Sequence, residues 1–121
     1  AREVADRRYG DCSEHAVLMA AMARAVGIPS KLVSGLTYAG TGFAYHMWVE
    51  VWTGSSWYAL DPTIGEGSVD AMHIKLAETA APDGNVADLS VSTMKTLNRL
   101  TIDVLEYESN GRKFSDDNAE R

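Results

Sequence analysis

Phe43-Ala44-Tyr45-His46-Met47-Trp48-Val49-Glu50-Val51-Trp52, followed closely by Trp57-Tyr58-Ala59-Leu60-Asp61-Pro62, is the stretch whose reading decides the fold. Side chains on a strand point alternately to the two faces of a sheet, so strict apolar alternation reads as a half-buried strand. Phe43, Tyr45, Met47, Val49 and Val51 share one face; Ala44, His46, Trp48, Glu50 and Trp52 share the other. Residues 53–56 contain Gly54 and read as a turn, and residues 57–61 as the returning strand of a hairpin, ended by Pro62. If the turn is Gly54-Ser55 or the whole of 53–56, Trp52 faces Trp57 and Trp48 faces Asp61. Asp61 then lies on the face of His46 as its diagonal neighbour, within reach of a side-chain hydrogen bond. A three-residue turn would send Asp61 to the other face.

Upstream, residues 11–26 predict a helix: they are rich in Ala, Leu and Met, lack Gly and Pro, and are followed by Gly27 and Pro29 as stop signals. The segment is apolar nearly all round, which predicts a central helix whose alanines allow close packing, with Cys12 in its first turn. Residues 31–38 predict a strand with Gly35 as a bulge, and 39–42 a turn. Downstream the pattern weakens. Residues 63–70 read as loop, 73–76 as a short extended piece, 80–85 as a turn-rich stretch, 88–98 as a helix, and 100–107 as a closing strand. Residues 109–121 read as a polar tail, which leaves 1–108 as a single core domain of an α+β protein.

The whole chain has 121 residues, 17 acidic against 11 basic, for a formal charge of −6. No basic stripe is present, which argues against a nucleic-acid partner, since such proteins neutralise phosphates with clustered Lys and Arg. The longest uncharged apolar run covers residues 16–23, well short of the roughly 20 residues a bilayer-crossing helix requires. One cysteine can form neither an internal disulfide nor a thiolate metal cage. Residues 1–8 are charged rather than apolar, so no signal peptide is expected in them, and the abrupt start suggests a domain excised from a longer protein.

Cys12 is the first chemical candidate. A thiol in the first turn of a helix feels the partial positive charge of unpaired backbone N–H groups, which favours the thiolate; the plain alternative is a small buried hydrophobe. His46 and Asp61 on one face of the hairpin change that balance. A thiolate attacks an acyl carbon, an imidazole stabilises the ion pair and protonates the leaving amine, and a carboxylate fixes the imidazole tautomer. The alternative for His46 is a structural histidine beside an aspartate that merely starts the next turn.

Tyr9-Gly10-Asp11-Cys12, the alanine-rich segment to 25, Gly27-Ile28-Pro29, His46-Met47-Trp48-Val49-Glu50-Val51, Trp57 and Asp61-Pro62-Thr63, in that order, resemble the core of the transglutaminase-like superfamily, in its bacterial style. The resemblance is strong over residues 8–65, and the segment from Met72 through His73-Ile74-Lys75-Leu76 to Tyr107 is similar to the tail of bacterial members. It implies a papain-like fold, a cysteine-bearing helix packed on an antiparallel sheet that carries the other two members of a Cys12, His46, Asp61 triad. It also implies a cysteine hydrolase or acyltransferase acting on a peptide or protein amide through a thioester, without a cofactor. Asp11 and Ser13 flank the cysteine where animal transglutaminases have Gln and Trp. That favours hydrolysis, as by a thiol protease or amidase, over cross-linking. The auxiliary oxyanion donor of the animal enzymes has no counterpart here, and Tyr9, or a group in a removed N-terminal segment, is the candidate to replace it. The rival is a non-catalytic binding or structural module of a larger protein. The compartment is open, with the extracytoplasmic side of a bacterium as the expectation.

Other residues carry weaker expectations. Trp48 is either a wall of the acyl site, covering the imidazole, or a core aromatic. Glu50 is read as the partner of a buried donor or a solvated edge residue rather than a catalyst, and His73 as surface structure. A zinc site of Cys12, His15, His46 and Asp61 is set aside because Cys-x-x-His alone is a weak signal, so no metal is expected. A calcium loop through Asp61, Glu66 and Asp70 lacks the alternating carboxylates of an EF-hand.

Overall fold

The computed structural model describes residues 11–38, 40, 42–65, 68–80, 86–97 and 99–115. Helix α1, Cys12–Ala25, begins where the sequence supplies a cap. Asp11 accepts from the Glu14 N–H at 3.0 Å, and the Glu14 carboxylate accepts from the Asp11 N–H at 2.9 Å. These two bonds satisfy reciprocally the donors a helix start leaves open. At the other end Gly27 adopts φ +82°, and the Ile28 N–H returns to the Ala23 carbonyl at 2.9 Å. That left-handed position is one L side chains rarely adopt, which is why the helix stops at a glycine.

Four strands follow: β1 (Ser30–Tyr38), β2 (Phe43–Trp52), β3 (Trp57–Leu60) and β4 (His73–Thr79). They form one sheet in the order β3-β2-β1-β4, antiparallel at every pairing. The hairpin register is the expected one: Trp52 faces Trp57 and Val49 faces Leu60, so the ladder ends just before Asp61. The expected bulge is also present, as a register shift at Ser34/Gly35 where β1 meets β4. The extended piece expected at 73–76 is a full strand, because β1 offers it a complete edge to pair with.

The two faces of the sheet differ in kind. Leu32, Met47 and Val49 point to one side and pack on Ala16 and Ala20 of α1 and on Leu89 of helix α2 (Val86–Leu97). Burying Met47 completely is worth roughly 2–3 kcal/mol. Ser34 and Thr93, both fully buried, hydrogen-bond each other, and Thr93 Oγ1 also donates to the Leu89 carbonyl at 3.0 Å, so this polar pair in the core is satisfied. The opposite face carries His46, Trp48 and Glu50.

Two expectations are corrected. Helix α1 is not central: it buries Ala16 and Ala20, whereas Met22 and Val26 beside its end stay largely exposed, because a helix covering one side of a single sheet needs only one buried stripe. The closing strand expected at 100–107 is instead β5 (Glu106–Ser109), paired with β6 (Arg112–Ser115) inside the stretch read as a tail. Asn110 (φ +51°) and Gly111 (φ +76°) form its turn, the backbone that matches strand twist in a two-residue hairpin, and Tyr107 stacks on Phe114 at 4.8 Å. Among the described residues no helix is long and apolar enough to cross a membrane.

Candidate functional site

On the open face of the sheet, three titratable side chains converge from three elements. His46 comes from β2, Asp61 follows the last residue of β3, and His73 is the first residue of β4. The His46 Nε2 to Asp61 Oδ2 distance is 2.6 Å, and the His73 Nε2 to the same oxygen is 2.8 Å. A carboxylate oxygen only accepts, so both rings donate from Nε2. No other hydrogen bond reaches the His46 ring among the described residues, which leaves its Nδ1 lone pair available as a base. His46 and Asp61 are buried, and the His73 side chain is 2 % exposed.

Asp61 is held at both oxygens. The Thr63 N–H donates to Oδ1 at 3.0 Å, a local turn that the Asp-Pro-Thr sequence supplies. Burial pushes the Asp61 carboxyl up, but the donors His73 and His46, with the Thr63 N–H, outweigh it and hold the group below its ordinary value. His73 Nδ1 lies 2.8 Å from Asp70 Oδ1, and that oxygen also accepts from the Met72 N–H at 2.9 Å.

Trp48 takes part in this cluster. Its indole stacks near His46 (centroids 6.2 Å, planes 29° apart) and meets the edge of His73 at 5.1 Å. The space for this contact exists because the intervening residue of β1 is Gly35. A Cβ there would lie 1.9 Å from the Ile74 carbonyl oxygen and 3.0 Å from Trp48 Cη2. Further along the same face, buried Glu50 is bound by Lys75, whose side chain is 42 % exposed, and Lys75 also pairs with Glu78. Burial works against the Lys75 ammonium, yet the two carboxylates hold it above its ordinary value. Lys31 joins Glu78 at 3.3 Å and lies 4.0 Å over the Trp57 ring.

Cys12 starts α1 and is partly exposed. It packs against the core on the helix side of the sheet, beside Tyr45, the neighbour of His46 in β2, and it makes no hydrogen bond to His46. Burial raises the Tyr45 phenol above its ordinary value against the opposing effect of its 2.9 Å hydrogen bond to Ser90, and the nearby Cys12 adds to the rise. The structure therefore brings His46, Asp61 and Trp48 together, with Cys12 packed beside Tyr45 at the start of α1. Tyr9 and Glu66 lie outside the described residues.

His73, expected at the surface, is the member that sequence reasoning missed. Its signals were Asp70 three residues before it and the glycine in β1, which lets side chains of β2 and β4 meet. His46, Asp61 and His73 present donor atoms within 4.8 Å of one another, a set a divalent metal accepts, whereas Cys12 and His15 do not belong to it; the His15 ring instead meets the Asp11 carbonyl at 2.6 Å. In the structure these three side chains hydrogen-bond one another through Asp61 Oδ2. An apolar recess of about 260 Å³ between Tyr38, Met72, Val104 and Phe114 holds none of these residues.

Comparisons with known proteins agree with the motif order. Residues 1–62 match the family model of the transglutaminase-like superfamily. The chain is 39% identical over 69 residues to a protein-glutamine gamma-glutamyltransferase of Pseudomonas aeruginosa, an alignment that covers 48% of this chain and 10% of that protein. The chain thus spans a small part of the relative's length. No solved structure matches. With the family model covering half of the chain, and an α+β architecture compatible with that fold, of two helices on an antiparallel sheet among the described residues, the chain belongs to the transglutaminase-like superfamily.

Proposed function

We propose that this chain is the catalytic part of a cysteine-dependent acyl-transfer enzyme of papain-like design, with Cys12 as nucleophile, His46 as acid and base, and Asp61 as the residue that orients His46. The observation that carries the reading is the buried 2.6 Å bond from His46 Nε2 to Asp61. It fixes the tautomer whose free Nδ1 can take the thiol proton. The Cys12 thiolate then attacks the carbonyl carbon of an amide. The C–S bond forms, the C–N bond breaks, and the amine leaves with the proton from His46. The second acceptor gives a proton to His46 as its oxygen or nitrogen bonds to the acyl carbon, the C–S bond breaks, and the thiolate is regenerated beside the imidazolium. The N–H groups of the first turn of α1, that of Cys12 included, face the developing oxyanion, and Trp48 walls the imidazole.

Contact between the thiol and Nδ1 belongs to the substrate-bound state in this scheme, since catalytic hydrogen bonds in free enzymes are commonly long and tighten on binding. Water is the favoured acceptor, because Asp11 and Ser13 flank the cysteine in place of the Gln and Trp of the animal enzymes. The name of the Pseudomonas relative supports a second reading, in which a protein glutamine is the donor and an amine the acceptor.

One assay separates these readings. The protein is incubated with a glutamine-containing protein and a fluorescent primary amine, and ammonia release and amine incorporation are followed together. Ammonia or cleavage without incorporation establishes hydrolysis, and incorporation establishes transfer. Either activity must vanish in Cys12→Ala. If neither occurs, and Cys12 alkylates with iodoacetamide at the same rate in His46→Ala as in the parent, the chain is a non-catalytic module.

A further inference from the structure

The proposed chemistry asks nothing of His73, yet the ring is 2 % exposed and both of its nitrogens meet carboxylates, Asp61 at 2.8 Å and Asp70 at 2.8 Å. A histidine that merely starts a strand has no need of two acidic partners. The ring meets a carboxylate oxygen at each nitrogen, and one of these is the same Oδ2 that holds His46. Asp61 lies just past the β2–β3 ladder, which ends at Val49 and Leu60, and its carbonyl accepts from the Gly65 N–H at 3.3 Å. Its carboxylate is oriented by the Thr63 N–H on one oxygen and by the two imidazoles on the other.

We propose that His73, braced from behind by Asp70, is a positioning residue for the His46–Asp61 pair: it locks the Asp61 carboxylate in line with His46 and draws off part of its negative charge. The proposal rests on the acyl-transfer reading for its catalytic meaning, though not for its geometry. The direction of the effect follows from charge. Asp61 with its full charge on His46 would over-stabilise the imidazolium and make it a poorer proton donor to a leaving amine; a second donor on the same oxygen weakens that hold. The other charged groups described on this face are Lys31, Glu50, Lys75 and Glu78, engaged with one another. From α1, the titratable group concerned is the Cys12 thiol.

The test uses the full chain with His73→Leu, His73→Gln and Asp70→Asn. The first readout is the Nε2–H resonance of ¹⁵N-labelled His46, which is independent of catalysis. The second is the pH profile of Cys12 alkylation by iodoacetamide. In His73→Leu the His46 Nε2–H resonance broadens through faster exchange, and the inflection where the Cys12–His46 ion pair loses its proton moves to higher pH by roughly half a unit or more. Glutamine can donate an amide N–H to the same oxygen, and His73→Gln restores the resonance. Asp70 is 66% exposed, so Asp70→Asn leaves the core intact and gives a smaller displacement in the same direction. A His46 resonance and an alkylation profile unchanged in both His73→Leu and Asp70→Asn overturn the proposal. A resonance that responds to His73→Leu, in a protein whose Cys12 reacts as an ordinary thiol whether or not His46 is present, upholds the positioning and refutes the acyl-transfer reading instead.

Discussion

Replacing Asp61 by Asn removes a charge while keeping the shape of the side chain, and the two oxygens of Asp61 make the outcome calculable. Oδ1 accepts from the Thr63 N–H and Oδ2 from both imidazoles, so the site uses two acceptor atoms, whereas an amide offers one. If the amide oxygen faces the rings, the Thr63 N–H turns to water and two charge-assisted bonds become neutral ones. Such bonds are about twice as strong as neutral ones, so each loses roughly 1 kcal/mol and the pair about 2 kcal/mol. If the amide nitrogen faces the rings, both N–H groups lose their acceptor inside a buried cluster and the loss is larger. His46 could then pair only by moving its proton to Nδ1, which removes the base. Asp61→Asn is therefore expected to lose about 2 kcal/mol or more in urea unfolding, a midpoint shift of roughly 1 M at the slopes usual for a domain of this size. Cys12-dependent turnover should fall by roughly 10² to 10⁴. A variant within about 0.5 kcal/mol of the parent, the scatter of ordinary surface substitutions, with undiminished Cys12 reactivity would refute both the shared-oxygen geometry and its role.

Two further predictions concern the frame around the site. In Gly35→Ala the new methyl would sit 1.9 Å from the Ile74 carbonyl oxygen, a backbone atom that can move only if β1 and β4 part; a loss of about 3 kcal/mol or more is expected in thermal or denaturant unfolding, and a variant as stable as its parent contradicts the close approach. Asp11→Ala breaks the capping box of α1 and should cost about 1 kcal/mol at neutral pH. The Glu14 N–H, then the Ser13 hydroxyl, hold the Asp11 carboxyl below its ordinary value, so its contribution is complete above about pH 4 and fades as pH falls through the lower folded value. The stability gap between parent and variant should narrow in acid, and a gap that widens there contradicts the cap.

Much of the scaffold is written locally in the chain. The limits of α1 follow from Asp11 and Gly27, and the β2–β3 register from period-two alternation and a short turn, because these depend on residues a few positions apart. The same locality explains why the Asn110-Gly111 hairpin was within reach of sequence reasoning: its turn signal was present, and the polar composition around it masked the alternation. The position of α1 on one side of the sheet was not, since an alanine-rich helix has no strong polar face to show which side meets water.

By itself the sequence determined an α+β chain with helices over 11–26 and 88–98, a strand over 31–38 and a hairpin in fixed register, with His46 and Asp61 on one face and Cys12 at a helix start. Only the tertiary structure decided which side of the sheet each group occupies and that β4 adds itself beside β1. Pairing of strands distant in sequence carries no local signature; it emerges from the edge that β1 leaves open and from the room above Gly35. That placement buried His73 and gave Asp61 a second imidazole.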